Sequence, residues 1–211
     1  MPIVSALGDP APASAIRAAA RALAAGDIVG IPTDTVYGLA ADAFRSGAGD
    51  RLFAIKRRPR TVELPVLVAD VAQALSLSVA VPASARRLME RFWPGALTLV
   101  LPRRPDLNAD LGDDDATIGM RCAAHPVPLA LCAAVGPLAT TSANRHGDDP
   151  ATTAEALAAA LGPGVELILD AGPCCGAAST VVDCTGVEPR LLRDGGVPWA
   201  EIQSVAGGAS S

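Results

Sequence analysis

Lysine, aromatic residues and long apolar runs are scarce in this chain, and each shortage restricts what it can be. Of its 17 lysine and arginine residues only Lys56 is a lysine, and aromatic residues make up 3% of the 211 positions. A core with so few rings must be built from Ala, Val, Leu and Ile, which suits the layer packing of an α/β fold. Charge, proline or glycine interrupts every apolar run before it reaches membrane-spanning length, so no membrane segment is predicted.

Cysteine is present, but without the pattern of a disulfide framework or a zinc site. The 5 cysteines are odd in number and include no Cys-x-x-Cys spacing, so we expect reduced and mostly buried thiols. The run Asp113-Asp114-Asp115 is expected to be a solvated loop, because consecutive side chains converge poorly on one ion. Residues 1–9 lack the basic lead and the apolar segment of a secretory signal. These features predict a cytoplasmic protein that holds no metal through its own side chains.

The charge balance is acidic, with one concentrated basic stretch. The formal net charge is -5, whereas proteins that bind nucleic acid without sequence preference usually carry a positive domain charge. Residues 56–60, however, contain the lone lysine and arginine at 57, 58 and 60. Two interpretations stay open from the residues alone: the stretch is a solvated helix end, or Lys56 is a compact cation that reaches a phosphate.

Hydrophobic periodicity and turn residues predict alternating helices and strands in a single domain over residues 1–205, with a disordered tail at 206–211. Predicted helices cover residues 13–25, 46–56, 70–76, 82–92, 128–135 and 153–161, the second of them capped by Ser46 and the third by Asp70. Predicted strands cover residues 28–31, 64–69, 96–101, 117–121, 138–141, 165–169, 179–184 and 190–195. Residues 33–39 are predicted to form a polar turn after the first strand.

Candidate functional side chains gather at the ends of these strands, where open α/β sheets bind ligands. The set consists of hydroxyls, arginines, one amide and the lone lysine: Thr33, Thr35, Lys56, Arg58, Thr117, Arg121, Thr140, Ser142, Asn144, Ser179 and Arg193. It includes no nucleophile–base pair, and neither G-x-S-x-G nor a P-loop occurs, which argues against triad hydrolysis and P-loop ATP chemistry. Such a set suits a cleft that holds phosphates and a carboxylate while bound substrates react with each other.

A series of motifs runs in order along nearly the whole chain. They are Pro32-Thr33-Asp34-Thr35-Val36-Tyr37-Gly38-Leu39, Lys56-x-Arg58-Pro59, Trp93-Pro94-Gly95-Ala96-Leu97-Thr98, Thr117-Ile118-Gly119-Met120-Arg121, Thr141-Ser142-Ala143-Asn144, Ser179-Thr180-Val181-Val182-Asp183 and Leu192-Arg193-Asp194-Gly195. Each motif alone is weak, but together the series resembles the YrdC-like family of L-threonylcarbamoyladenylate synthases in its short form.

The resemblance implies a YrdC-like fold, in which helices flank a twisted mixed β-sheet with a concave, positively charged cavity. It also implies a reaction: L-threonine, bicarbonate and ATP give threonylcarbamoyl-AMP and pyrophosphate, for the threonylcarbamoyladenosine modification of tRNA. ATP would be a substrate that brings Mg²⁺ with it. The implied partners are the downstream machinery that transfers the threonylcarbamoyl group to tRNA and, by weak direct contact, tRNA or double-stranded RNA.

The resemblance also assigns roles by motif position. Threonine would contact Thr35, Arg121, Thr140 and Ser179. ATP would contact Lys56, Arg58, Thr117, Ser142 and Arg193, and the implied catalytic set is Lys56, Arg58, Ser142 and Asn144. Side-chain chemistry agrees, since a guanidinium can hold a carboxylate through two hydrogen bonds and cations can neutralise phosphates.

The chain departs from the family pattern at Val62-Glu63, Leu67 and Ala123. A carboxylate at Glu63 is expected to weaken triphosphate binding unless it points away from the nucleotide. Three alternatives remain: a protein that binds double-stranded RNA or tRNA, a carbamoyl-handling relative, and a degenerate paralogue without synthase activity. A basic face at residues 51–60 would favour the first of them.

Overall fold

A computed structural model describes residues 1–144 and 148–208 of the chain and arranges them in alternating strands and helices. The strands are β1 (Ile3–Ser5), β2 (Val29–Ile31), β3 (Gly38–Asp42), β4 (Val66–Leu67), β5 (Leu97–Pro102), β6 (Thr117–Arg121), β7 (Leu138–Ser142), β8 (Leu167–Asp170), β9 (Thr180–Asp183) and β10 (Arg190–Arg193). The helices are α1 (Ala13–Ala25), α2 (Ala48–Lys56), α3 (Val71–Leu75), α4 (Ala83–Phe92), α5 (Pro126–Val135), α6 (Ala154–Leu161) and α7 (Trp199–Ala206). The α/β class predicted from the sequence is confirmed.

All of these strands join one twisted, open sheet in the order β1-β8-β2-β3-β7-β4-β6-β5-β9-β10. The sheet is mixed: β2 pairs with β8 in parallel and with β3 antiparallel, and β4 pairs with β6 in parallel and with β7 antiparallel. Candidate side chains lie on β6, β7 and β10 and just before β9. These strands belong to the run β7-β4-β6-β5-β9-β10, which extends from the middle of the sheet to one edge.

Helices cover both faces of the sheet, as the alternation of side chains along β3 illustrates. Leu39 and Ala41 pack in the core that contains α2, α4, α6 and α7, whereas Ala40 packs in the core that contains α1 and α5. In α1, four buried apolar residues at helical spacing face this second core, and the polar face is solvated. The three layers bury small aliphatic side chains, as expected for a chain poor in aromatic residues.

Several predicted helix ends are confirmed in detail. Gly26 ends α1 in the left-handed conformation at φ 89°, where glycine carries no steric penalty. The Asp70 side chain accepts the Gln73 amide at 2.7 Å to cap α3, and Thr153 accepts the Ala156 amide at 3.2 Å to cap α6. The start of α2 is different from the prediction: it follows Gly47 without a side-chain cap, so Ser46 does not cap it.

The polar turn predicted at residues 33–39 is too long. It ends before Gly38, where β3 begins, because Gly38 and Leu39 pair with Ile31 and Gly30 across a hairpin. Several strands are also shorter than predicted; β4, for example, contains only Val66 and Leu67 of the predicted 64–69.

Three elements were not predicted: β1, β3 and α7. Helix α7 extends through Ala206, the first residue of the predicted tail, and residues 209–211 lie outside the described residues. In the described part of the chain, no helix has the length and apolarity needed to cross a membrane.

Candidate functional site

A cleft opens where the turn between β2 and β3 meets the ends of β6 and β7 and the segment before β9. Eight of the candidate residues line it: Thr33, Thr35, Arg58, Arg121, Thr140, Ser142, Ser179 and Arg193. Lys56 and Asn144 contact Ser142 without being among the lining residues, and Thr117 lies outside the lining. The topology thus brings together side chains that are up to 160 positions apart, from Thr33 to Arg193.

Arg121, at the end of β6, is held by three different partners and is 7% exposed. Its Nε donates to the Gly95 carbonyl at 2.9 Å, and its terminal nitrogens donate to Thr35 Oγ1 at 2.9 Å and to the Asp34 carboxylate at 2.6 Å. Among the described residues these contacts use one N–H on each nitrogen. One N–H therefore remains on each terminal nitrogen, which is what a bound carboxylate needs for two hydrogen bonds.

The turn that presents Asp34 and Thr35 is organised by Thr33. Its hydroxyl accepts the amides of Thr35 at 3.1 Å and Val36 at 3.2 Å, and donates to the Val36 carbonyl at 2.7 Å. A threonine that bonds to its own following backbone in this way fixes a tight turn. The two side chains that contact Arg121 are consequently set by local sequence.

Arg193 and Ser179 form a second polar group in the cleft. Arg193 donates to the Ser179 carbonyl at 3.1 Å through Nε and at 2.7 Å through Nη2, which also donates to Ser179 Oγ at 3.0 Å. Thr98 Oγ1 lies 2.9 Å from the same hydroxyl. Thr140, on β7, donates to the Pro65 carbonyl at 3.1 Å.

Arg58 and Arg193 are positive charges without a carboxylate partner among the residues that the structure describes. Arg58 donates to the Val62 carbonyl at 2.7 Å, to the Glu63 carbonyl at 2.8 Å and to Thr141 Oγ1 at 3.3 Å. Burial lowers the pKa of both guanidinium groups, with a further contribution to the pKa of Arg58 from Arg193 and to that of Arg193 from Arg121. Three partly buried cations that repel one another favour an anionic ligand in the cleft.

Lys56 is buried next to the cleft and contacts Ser142, one of the lining residues. The side chain is 2% exposed, and Nζ donates to the Ser142 carbonyl at 2.7 Å, to Asn144 Oδ1 at 2.6 Å and to Ser142 Oγ at 3.3 Å. Burial and the charge of Arg58 lower its pKa to about 8. The lone lysine is therefore a buried cross-link between the end of α2 and the end of β7, and three acceptors already occupy its ammonium group.

Thr117 and Glu63 lie outside the cleft lining, in contact with the loop between β5 and β6, residues 103–116, which we call the Asp-rich loop. Thr117 Oγ1 donates to Asp114 Oδ2 at 2.7 Å, and Glu63 Oε1 accepts the Asp114 amide at 3.0 Å. Burial and the charge of Asp114 raise the pKa of Glu63. The Glu63 carboxylate thus faces the loop, while Leu67, another departure from the family pattern, lines the cleft.

Sequence reasoning did not single out Asp34 and Thr98, although both contact predicted site residues. The signal for Asp34 was its place between the two threonines of the turn. The signal for Thr98 was a hydroxyl inside an otherwise apolar strand, where a polar side chain needs a partner.

Within residues 1–144 and 148–208, no three His, Cys, Asp or Glu side chains are grouped so that they could hold an ion. The 5 cysteines are free thiols, of which Cys122, Cys132 and Cys184 are buried.

Comparison with known proteins identifies relatives along nearly the whole chain. The Sua5/YciO/YrdC family, described as "Telomere recombination", matches residues 21–195. A protein of Mycobacterium tuberculosis strain H37Rv is 45% identical over 193 residues, which are 91% of this chain and 89% of that protein. The threonylcarbamoyl-AMP synthase of Bacillus subtilis is 40% identical over 195 residues, covering 91% of this chain and 56% of that enzyme.

Solved structures agree with the sequence comparison. Pyrococcus abyssi Sua5, crystallised with L-threonine, superposes with a TM-score of 0.93 at 36% identity, covering 98% of this chain and 61% of that one. Escherichia coli YciO superposes with a TM-score of 0.82 at 26% identity, covering 92% of this chain and 94% of that one.

Fold and cleft define an α/β protein with an open mixed sheet and an arginine-lined cleft at its centre. The chain belongs to the Sua5/YciO/YrdC family. The predicted fold is confirmed by this membership and by the two structural neighbours.

Proposed function

We propose that this protein is a threonylcarbamoyl-AMP synthase, which makes threonylcarbamoyl-AMP and pyrophosphate from L-threonine, bicarbonate and ATP. Relatives with this name cover most of the chain at 40% and 39% identity. The observation that carries the proposal is the cleft itself, where Arg58 and Arg193 have no carboxylate partner among the described residues and lie beside an Arg121 with two N–H groups left by its described contacts. Such a site suits one carboxylate and one polyphosphate.

Threonine is proposed to bind through Arg121 and the hydroxyls of Thr35, Thr140 and Ser179. Its carboxylate would take the two N–H groups of Arg121 that the contacts among described residues leave, next to the Asp34 carboxylate. ATP is proposed to bind beside threonine, with Arg58 and Arg193 on its phosphates and Ser142 and Thr117 as hydroxyl contacts. Lys56 would act by holding Ser142 and Asn144 in place, since its ammonium already has three acceptors.

The proposed chemistry is a reaction between bound substrates. The threonine amine and bicarbonate give a carbamate and water; a carbamate oxygen then forms a bond to the α-phosphorus while the bond to pyrophosphate breaks. Negative charge builds up on the leaving pyrophosphate, and the positioned Arg58 and Arg193 would neutralise it. The residues supply positions and charge, and no enzyme-bound covalent intermediate is required.

Magnesium does not fit as a resident ion, since the described residues offer no grouped ligands for it. We therefore assign Mg²⁺ to the MgATP substrate, where phosphate oxygens and water hold it. The product would pass to the machinery that modifies tRNA.

The test is release of pyrophosphate from ATP that depends on both threonine and bicarbonate. Arg193→Ala should lower kcat/KM for ATP by about 10- to 100-fold, because it removes a charged contact to the phosphates. Arg190→Ala is the matched control: Arg190 is on the same strand, pairs with Asp183 at 3.0 Å and has a side chain 74% exposed, so its loss should change kcat/KM less than about twofold. Equal losses in both variants would contradict the assignment, and no release by the wild type would favour the degenerate paralogue.

A further inference from the structure

Glu63 contacts both Arg58, in the proposed nucleotide site, and the Asp-rich loop next to it. It follows Arg58 by five positions, yet its carboxylate is turned to the Asp-rich loop, where Oε1 accepts the Asp114 amide at 3.0 Å. Its backbone carbonyl accepts Arg58 Nη2 at 2.8 Å. One residue therefore contacts a cleft arginine through its main chain and the neighbouring loop through its side chain.

The same loop residue that contacts Glu63, Asp114, also contacts Thr117. The Asp114 carboxylate accepts the Thr117 hydroxyl at 2.7 Å through Oδ2 and the Ala116 amide at 2.8 Å through Oδ1. The strand register agrees with this connection. Val66 of β4 is aligned with Met120 of β6 in parallel, and Glu63 and Thr117 each lie three positions before this pair, Glu63 ahead of the first residue of β4.

The loop can reach Glu63 because it contains a glycine at the point of closest approach. Gly112 has φ 146°, and a Cβ there would lie 2.8 Å from the Arg60 carbonyl oxygen and 3.1 Å from Glu63 Cγ. Two backbone bonds join the same segments, from Leu64 to Leu111 at 2.7 Å and from Asp113 to Arg60 at 3.2 Å. The Glu63 contact is thus part of a close pairing of residues 60–64 with 111–114.

We infer that Glu63 is a positioning residue for the ATP side of the cleft, acting on Thr117 through Asp114. The inference rests on the proposed function, which gives Thr117 and Arg58 contacts with ATP. The sequence led us to expect weaker nucleotide binding unless this carboxylate points away from the nucleotide, and the inference takes that exception, because the carboxylate accepts a backbone amide of the loop.

The first measurement is ATP affinity by calorimetry, without threonine or bicarbonate, for the wild type, Glu63→Ala and Glu63→Gln. Glu63→Ala removes the acceptor and should weaken ATP binding about fivefold, the effect of one lost hydrogen bond. Glu63→Gln keeps an amide oxygen as acceptor and should bind ATP within about twofold of the wild type. L-threonine affinity should be unchanged in both variants, and Glu90→Ala, an exposed change on α4, serves as the surface control.

The second measurement is a double-mutant cycle with Thr117→Val. If Glu63 acts through Thr117, adding Glu63→Ala to a protein that already carries Thr117→Val should weaken ATP binding little further. A full additional loss on that background would overturn the inference, and so would tighter ATP binding in both Glu63 variants, which would mean that the negative charge repels ATP. If the wild type binds ATP but releases no threonine-dependent pyrophosphate, the proposed reaction fails while the positioning role stands. If the wild type binds no ATP, both fail.

Discussion

At the scale of single residues, the lone lysine shows how burial changes what a charge does. The Lys56 ammonium uses all three of its hydrogens, on the Ser142 carbonyl, Ser142 Oγ and Asn144 Oδ1. Burial disfavours the charged form and lowers its pKa to about 8, so the group titrates close to physiological pH. A neutral amine has only two N–H groups, and deprotonation must release one of these acceptors.

This shift predicts a pH dependence of stability with a definite sign. In the unfolded chain lysine keeps its proton until about pH 10.4, whereas the folded chain loses it near pH 8. Between these values the unfolded state binds more protons, so the Lys56 contribution to the free energy of unfolding rises with pH. The free energy of unfolding of the wild type relative to Lys56→Met, measured in urea, should therefore increase from about pH 8 to about pH 10.

Methionine is the matched replacement, because it has a similar length and does not titrate. Every other titrating group is shared by the two proteins, so subtracting their unfolding free energies isolates Lys56. A difference that stays constant, or that falls over this range, would mean that the pKa is not lowered.

The rarity of lysine marked position 56 in the sequence, but its role could not be derived there. Lys56 could have either of two roles, a phosphate contact or a structural cross-link, and both would place a lysine at this position of the motif. The contacts of Nζ with Asn144 Oδ1 and the Ser142 carbonyl, 88 and 86 positions away, form only in the folded sheet. For Arg121 and Arg193, whose positions at strand ends were evident from the sequence, the predicted place in one cleft agrees with the structure.

At the scale of elements, helix α2 meets the Asp-rich loop at a position that admits no side chain. A Cβ on Gly49 would lie 2.0 Å from the Asp110 carbonyl oxygen. Inside a helix, alanine is normally favoured over glycine by about 1 kcal/mol. Here the contact is with backbone, which cannot rotate away, so overpacking that costs about 1–3 kcal/mol should exceed this gain.

Gly49→Ala is accordingly expected to lower the free energy of unfolding by about 1 kcal/mol, although it raises helix propensity. Urea unfolding at constant pH measures this change. Gly186→Ala is the matched control, since the nearest atom to its new Cβ is the Glu188 carbonyl oxygen at 3.8 Å and little change is expected. A stabilised Gly49→Ala protein would show that the loop moves aside at no cost.

The elements that sequence reasoning found are those with local signals. Helix α1 combines alanine-rich helical spacing with a terminal glycine, and Asp70 and Thr153 are N-cap residues before helices. The missed strands β1 and β3 carry weak local signals: β1 is an edge strand of three residues, and β3 contains glycine and two alanines, which rarely favour strands. Their pairing partners β8 and β7 stabilise them through long-range contacts that no local window contains.

At the scale of the whole molecule, ion pairs and burial break up the one basic stretch of this acidic protein. The basic stretch predicted at residues 51–60 does not present a continuous basic face. Arg51 pairs with Asp27 at 3.3 Å, and Arg60 pairs with Asp50 at 2.6 Å and with Asp113 at 3.4 Å, besides Asp110. Lys56 is buried and Arg58 faces the cleft, so Arg57 is the exposed cation of residues 56–60 that forms no ion pair with the described residues.

This distribution predicts weak binding of double-stranded RNA with a shallow dependence on salt. The slope of log affinity against log salt reports how many phosphates a protein neutralises, at about 0.7 to 0.9 per phosphate. With one unpaired surface arginine in the stretch, the slope should be shallower than about -2 between 50 and 200 mM salt, measured by fluorescence anisotropy of a labelled duplex. Arg57→Ala should flatten it further, whereas Arg190→Ala on the far edge strand should leave it unchanged. The net charge of -5 and the ion pairs of Arg51 and Arg60 are not compatible with many phosphate contacts. A slope near -6 would therefore require an extended basic face, and it would favour the RNA-binding alternative.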